Sequence, residues 1–378
     1  MEANSDDAFM QIALQLGRRG AGITSPNPCV GCIITADSPY GPVVTGRGWT
    51  ARGGRPHAET MALEQAGDAA RGATLYVTLE PCSHFGQTPP CSSAIIKAGI
   101  RRVVCALEDP DERVAGRGIT RLREAGIEVV MGVGAEQARR DLAGHLTRIT
   151  RKRPHVRLKL AISRNRKIAG CGGKQIWITG KAALAQVHAM RARHDAIMVG
   201  AGTVRADDPE LTCRLPGLEG DSPLRVVVDT NLTLKTGSKL CQGAKTVPLW
   251  VLSGQNPPED RAENLRRCGV KIIPCPQTPE GHVDLQSALG KLAEEGITSL
   301  FVEGGARLGA SLLQAGLVDE ADFFFSEVEI DENGVDALYG MDLEQVTNSA
   351  QFTLLSSQSV GADILRCYVR NVNLDAKS

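Results

Sequence analysis

Across 378 residues, 43 Lys plus Arg balance 43 Asp plus Glu, and apolar residues make up 42%. That composition excludes collagen-like, low-complexity and disordered chains and leaves room for two ordinary domains. With no net charge the chain exerts no global pull on nucleic acid or anionic lipid, so a small molecule is the expected partner.

No apolar run is long enough to cross a bilayer, and the first residues lack a charged-then-apolar signal pattern. The cytoplasm is therefore the expected compartment. The 11 cysteines then read as reduced thiols or metal ligands rather than as a disulfide framework.

Taken in chain order, "CVGC" at 29–32 has the spacing of a redox or zinc motif, but no second pair completes a four-thiolate site, and the reading is structural. "RPHAETMALEQAG" at 55–67 is an apolar-patterned helix with His57 and Glu59 at its head. Strands are expected within 73–81, 102–110 and 127–133, separated by the helical patterns "AIIKAG" and "TRLREAG". A helical pattern from Glu136 runs into the basic "TRITRKRP" at 147–154, whose proline disfavours helix at the residue before it. The domain boundary is expected there, giving domains 1–150 and 151–378. Beyond it come strands within 155–163, 195–202, 224–230, 248–254, 270–275, 299–305 and 321–330, with a helix near 181–193. Their continuous Val, Ile and Leu runs predict an α/β domain with a mostly parallel sheet covered on both faces. The alternating "DILRCYVR" at 363–370 predicts an antiparallel edge strand.

Three residue types point to a metal. His57, then Cys82 in a Pro-Cys pair at a strand end, then Cys91 at the start of a helical pattern supply one imidazole and two sulfurs. Three protein ligands with an open fourth position is the count of a catalytic zinc site, whereas a structural site closes all four. Helix starts favour the thiolate form at both cysteines. A metal lowers the pKa of bound water to about 7, and the nearby Glu59 can take that proton and deliver it to a leaving amine. H-A-E followed by P-C matches the zinc-deaminase signature, except that eight residues rather than two separate the cysteines. The competing reading, capping by His57 and Glu59 with two buried cysteines, accounts for any one of the four residues but not for all of them in order.

The longer interval carries a resemblance. "PHAE", "YVTLEPCSHFGQTPPC" and "SPNPCVG" resemble the deaminase half of the bifunctional riboflavin-biosynthesis deaminase/reductase family. The resemblance implies a cytidine-deaminase-like three-layer domain that removes an amino group from a phosphoribosylated diaminopyrimidinone. It implies one zinc per chain on His57, Cys82 and Cys91, Glu59 as the catalytic proton shuttle, and Asn27 and His84 near the pyrimidine and phosphoribosyl groups. Thr50 stands where the family usually has histidine, Gln87 where it has a basic residue, and "DPDE" at 109–112 where it has "DPNP"; a phosphate contact is lost at such positions.

In the second half, "DAIMVGAGTVRADDPELTCR" (195–214) and "SLFVEGGARLGASLL" (299–313) are strands breaking into glycine-rich turns. Turns of this kind bring backbone N–H groups to phosphates, although neither is a G-x-G-x-x-G fingerprint. With "LKLAIS", "WITG" and "FVEGGARL" they resemble the reductase half of the same family, implying a dihydrofolate-reductase-like domain that reduces the ribosyl group with NADPH. Ala161, Trp177, Thr203, Asp207 and the stretch Gly305, Ala306, Arg307, Leu308, Gly309, Ala310 and Ser311 would contact NADPH. Gln175, Arg191, Leu211, Arg214 and Glu303 would hold substrate, the arginines through paired hydrogen bonds to phosphate. Lys159, Asp207 and Glu303 are candidates for proton transfer, and a homo-oligomer is implied. The family's "SLDGK" reads "SRNRK" at 163–167, which predicts a reshaped turn, and Gln175 replaces a substrate-facing serine.

Two further readings compete. One keeps the deaminase alone and makes the second domain a scaffold. The other is a nucleic-acid base deaminase, which needs a basic groove and stacking aromatics; the even charge and 4% aromatic content oppose it.

Overall fold

The computed structural model describes residues 2–84, 89–173 and 176–371. The chain divides into two compact units, Met1–Arg153 and Pro154–Ser378.

In the first unit a five-stranded sheet runs in the order Val43–Trp49, Gly31–Ala36, Thr74–Val77, Arg102–Cys105, Glu128–Met131. The last three strands are parallel to one another, and Gly31–Ala36 is antiparallel to both its neighbours. Helix Ala58–Ala66 lies hard against Val43–Trp49. The reason is two glycines: a Cβ on Gly46 would stand 2.2 Å from the Ala62 carbonyl oxygen, and one on Gly48 2.1 Å from that of Ala58. Only glycine admits this approach. It fixes the start of the helix, where His57 and Glu59 sit, against the sheet. The helical pattern after Glu136 is two helices, Ala135–Asp141 and Ala143–Arg151. Cys32 is buried in the central strand region and Cys29 is half-buried, and neither is bridged. "CVGC" is thus part of the core wall, as its structural reading requires.

The second unit holds a nine-stranded sheet ordered Lys271–Pro274, Leu249–Ser253, Leu224–Val228, Ala196–Gly200, Ser299–Glu303, His155–Ile162, Glu320–Phe325, Asp363–Arg370, Phe352–Val360. Its first seven strands are parallel and the last two antiparallel. Residues alternate between two apolar clusters: Ala196, Met198, Leu300 and Val302 face one, Ile197, Val199 and Phe301 the other. Both faces are covered, which is what continuous apolar strands need. One expectation is corrected. Asp363–Arg370 pairs antiparallel but lies inside the sheet, because Phe352–Val360, a serine-rich strand exposed along almost its whole length, takes the edge.

The "SRNRK" turn is closed by side chains rather than by glycine. Arg166 stands at φ +64°, its N–H donates to the Ser163 carbonyl at 3.0 Å, and its guanidinium grips Glu344 at 2.6 and 3.1 Å. Asn165 bonds the Ile330 backbone through both its amide nitrogen and its oxygen. A left-handed backbone costs a residue with a Cβ about 1–2 kcal/mol. Both Arg166→Gly and Arg166→Ala lose the exposed ion pair, so the glycine variant is expected to exceed the alanine variant in stability by about 1 kcal/mol, read from urea midpoints.

Candidate metal centre and reductase cleft

His57 immediately precedes helix Ala58–Ala66, and its side chain makes no capping hydrogen bond there. Its ring is left for another partner. Cys91 opens helix Cys91–Ala98. Cys82 does not sit at a helix start of its own, contrary to expectation, but in the irregular segment after strand Thr74–Val77. Its sulfur meets a helix start all the same, since the Cys91 backbone N–H donates to it at 3.3 Å. His57 Nδ1 stands 3.4 Å from Cys91 Sγ and 3.8 Å from Cys82 Sγ, and all three ligand atoms lie within 4.8 Å of one another. A tetrahedral zinc ion, with nitrogen at about 2.0 Å and sulfur at about 2.3 Å, spaces those atoms about 3.6 Å apart. The donor set and its spacing fit zinc.

Without the metal the three ligands hold their protons unequally. The Cys91 thiol donates to Cys82 and, against the effect of burial and with help from His57, holds the Cys82 thiol down to about 4. The same hydrogen bond, with burial, pushes Cys91 up, and His57 is raised by its bond to Cys82. Burial foremost, then the charge on Cys82, lifts Glu59 to about 7. In the metal-free chain this carboxyl therefore keeps its proton up to near neutrality.

His57, Glu59 and Cys82 line a cavity of about 490 Å³, also walled by Asn27, Thr50, His84, Asp109, Asp111, Arg113, His145 and Arg148. Asn27 Nδ2 donates to the Gly54 carbonyl at 2.8 Å. Thr50 Oγ1 accepts from the Val30 N–H at 3.0 Å, so it ties backbone where the family has an imidazole. The "DPDE" loop is held from behind: the Glu80 carboxylate accepts from the N–H groups of Asp109, Gly116, Gly118 and Ile119 at 2.8–3.2 Å. Asp111 is satisfied by its own neighbour Arg113. Gln87 lies outside the described residues.

In the second unit the two glycine-rich turns meet, because strands Ala196–Gly200 and Ser299–Glu303 are parallel neighbours. Gly304 and Gly305 have φ of +70° and +78°, and a Cβ on Gly305 would stand 3.1 Å from Thr203 Oγ1. A Cβ on Gly200 or Gly304 would meet nothing within 4 Å, so backbone is open there to a ligand at the carboxyl ends of the strands. This cradle fits a dinucleotide phosphate. Glu303 pairs in register with Lys159, and its two oxygens take Arg191 Nε and Nη2 at 2.5 and 2.8 Å. Arg191 Nη1 donates to the Thr212 carbonyl at 2.9 Å. Burial pushes Glu303 up, but Arg191 and Lys159 outweigh it and hold the carboxyl below its usual range. Burial pulls Lys159 down.

Comparison with known proteins decides the family. Residues 3–107 match the model of the cytidine and deoxycytidylate deaminase zinc-binding region, and residues 154–365 match the RibD C-terminal domain. The riboflavin biosynthesis protein RibD of Escherichia coli (strain K12) is 37% identical over 372 residues, covering 95% of this chain and 98% of its own. The Bacillus amyloliquefaciens protein of that name is 42% identical over 326 residues, covering 86% and 85%. An Acinetobacter baumannii RibD structure (form 1) superposes with a TM-score of 0.86 at 34% identity, covering 98% of this chain and 100% of that one. This chain belongs to the RibD family.

RibD proteins are bifunctional, and this chain carries both parts: a zinc-binding deaminase domain and a reductase domain that uses NADPH, acting in riboflavin biosynthesis. No observation favours a chain that keeps the deaminase alone. Among the described residues no helix is long and apolar enough to cross a membrane.

Placed on the structure, the residues expected to serve reduction divide. Lys159, Arg191, Thr203, Glu303 and Gly305 come together at the strand ends. The Arg191 fork is closed on Glu303 rather than open to a phosphate. Asp207 ends the short helix Ala201–Asp207 and its carboxyl is raised by burial. Ala161 lies half-buried in strand His155–Ile162, and Leu211 is buried with φ +57°. Trp177 is 72% exposed, and Arg214 pairs with Glu210 at 2.9 Å on the surface. In helix Ala306–Gln314, Leu308, Gly309 and Ala310 face the core together with Ala306, while Arg307 stacks on Tyr339 and Ser311 is exposed. Gln175 lies outside the described residues. Sequence reasoning passed over Glu80, His145 and Arg148 altogether; the last two lie three apart on one helix, a spacing any amphipathic helix shows.

Proposed function

We propose that residues 1–150 perform the deamination and residues 151–378 the reduction, with His57, Cys82 and Cys91 holding one zinc ion and Glu59 moving the proton. The observation that carries this reading is the imidazole and two sulfurs gathered within 4.8 Å beside a cavity that His57, Cys82 and the buried Glu59 line. Bound there, zinc supplies an activated water for hydrolytic deamination. Glu59 takes a proton from the attacking water and returns it to the departing amine, and Asn27 and His84 orient the pyrimidine and phosphoribosyl groups. In the second domain NADPH supplies hydride. Thr203, Asp207, Ala161, Trp177 and residues 305–311 hold it, while Arg191, Glu303, Leu211, Arg214 and Gln175 position the open-chain sugar. Lys159 and Glu303, adjacent in register, are placed to relay the proton that reduction consumes. The chain works in the cytoplasm as a homo-oligomer on a small-molecule substrate.

The test is to assay the purified chain on each substrate separately. Ammonia release from the phosphoribosylated diaminopyrimidinone, NADPH oxidation with the deaminated product and one zinc per chain are expected. Zinc-replete protein that releases no ammonia overturns the first assignment, and deaminated product that consumes no NADPH overturns the second.

A further inference from the structure

The deaminase cavity contains one group that the reaction as described leaves unused. His145, on helix Ala143–Arg151, is only 8% exposed. Its Nε2 stands 3.0 Å from Asp109 Oδ1; a carboxylate oxygen accepts, so Nε2 donates and Nδ1 is the ring atom left for another partner. That Nδ1 is buried and has no hydrogen-bond partner. An orphaned buried polar atom costs free energy unless something pairs with it. His145 faces the cavity together with Arg148 and Ile149 from the next turn of its helix.

The helix lies beyond residues 3–107, which match the zinc-binding region common to deaminases of free and phosphorylated cytidine nucleosides. The metal and proton machinery is complete within that region. The wall formed by Asp109, Arg113, His145 and Arg148 is therefore additional to what amine removal requires. With the amine held at Glu59 and the metal, the remainder of the substrate must be accommodated along the rest of the cavity.

We infer that His145 is a substrate-positioning residue of the deaminase, its Nδ1 sharing a hydrogen bond with a hydroxyl of the ribosyl phosphate chain. The bond to Asp109 holds the ring on the cavity wall, and Arg148 lies on the same wall. The inference rests on the deaminase assignment above.

Two substitutions separate positioning from mere packing. Glutamine places its amide nitrogen where Nε2 stands and keeps the bond to Asp109 but removes the polar atom at Nδ1; asparagine places a polar atom near Nδ1 and gives up Asp109. His145→Gln is expected to raise KM for the phosphoribosylated diaminopyrimidinone about tenfold with kcat within about twofold of the parent. His145→Asn is expected to keep KM within about threefold. Zinc content and NADPH oxidation with the deaminated product, measured on the same preparations, report intact folding. A parent-like KM in His145→Gln, or the reverse order with His145→Asn the more impaired, overturns the inference. A parent protein that releases no ammonia at all removes the deaminase reading, and the inference with it.

Discussion

Glu59→Gln is expected to bind zinc as the parent does and to lose deamination by about 10²–10⁴-fold, the usual contribution of a positioned general acid–base group. The amide keeps the size and the buried position of the carboxyl but can neither take nor return a proton. Cys82→Ser is expected to fail differently, losing metal and activity together, because a hydroxyl is not deprotonated in the conditions that make Cys82 a thiolate. Metal analysis beside ammonia release distinguishes the two. The same glutamine should also change stability. Burial raises the Glu59 carboxyl from 4.5 to about 7, so the folded, metal-free chain holds this proton more tightly than the unfolded chain. The favourable contribution of the protonated group is fully present below pH 4.5 and is lost as pH rises through about 7. Above neutrality the charged carboxylate costs the metal-free fold up to about 3 kcal/mol. Metal-free Glu59→Gln should accordingly have a higher urea midpoint than the metal-free parent at pH 8, with little difference at pH 4.5. A glutamine variant that keeps more than a tenth of the parent's deamination would remove Glu59 from the reaction.

The gathering of His57, Cys82 and Cys91 was legible because metal chemistry restricts residue type: few roles demand a histidine, a carboxylate two residues on, and a cysteine after proline at a strand end. The parallel strands of the second domain were legible because burial on both faces leaves a continuous apolar run. The two N-terminal strands of the first sheet were harder to see. Gly46 and Gly48 weaken the strand pattern of Val43–Trp49 for the very reason that helix Ala58–Ala66 needs their missing side chains. The edge strand Phe352–Val360 escaped because its exposed serines carry no alternation. Arg166 predicted a reshaped turn, yet the tight turn persists, with Asn165 and Glu344 supplying what glycine would have made unnecessary. His145 has no local signal, since its importance lies in facing Asp109, 36 residues away in the chain.

Glu303→Ala is expected to destabilise the reductase domain by about 3–5 kcal/mol and to abolish NADPH-dependent reduction while leaving zinc content and ammonia release unchanged. The magnitude follows from what is left behind. Glu303 and Arg191 are 12% and 10% exposed, and deleting the carboxylate strands a guanidinium, with Lys159 beside it, in a site that excludes water. The pair also sets an acid limit. The Glu303 carboxyl lies below its usual 4.5, so its contribution is present above that pH and is lost as pH falls through the lower folded value. Unfolding of the reductase domain in the parent should steepen on acidification below about pH 4.5, and Glu303→Gln should lack that component. A double-mutant cycle isolates the interaction itself. Arg191→Ala with Glu303→Ala removes both charges, so it should be less destabilised than the two single losses added together. Simple additivity would mean that the buried carboxylate and guanidinium do not depend on each other, and the proton relay through Glu303 would lose its structural basis.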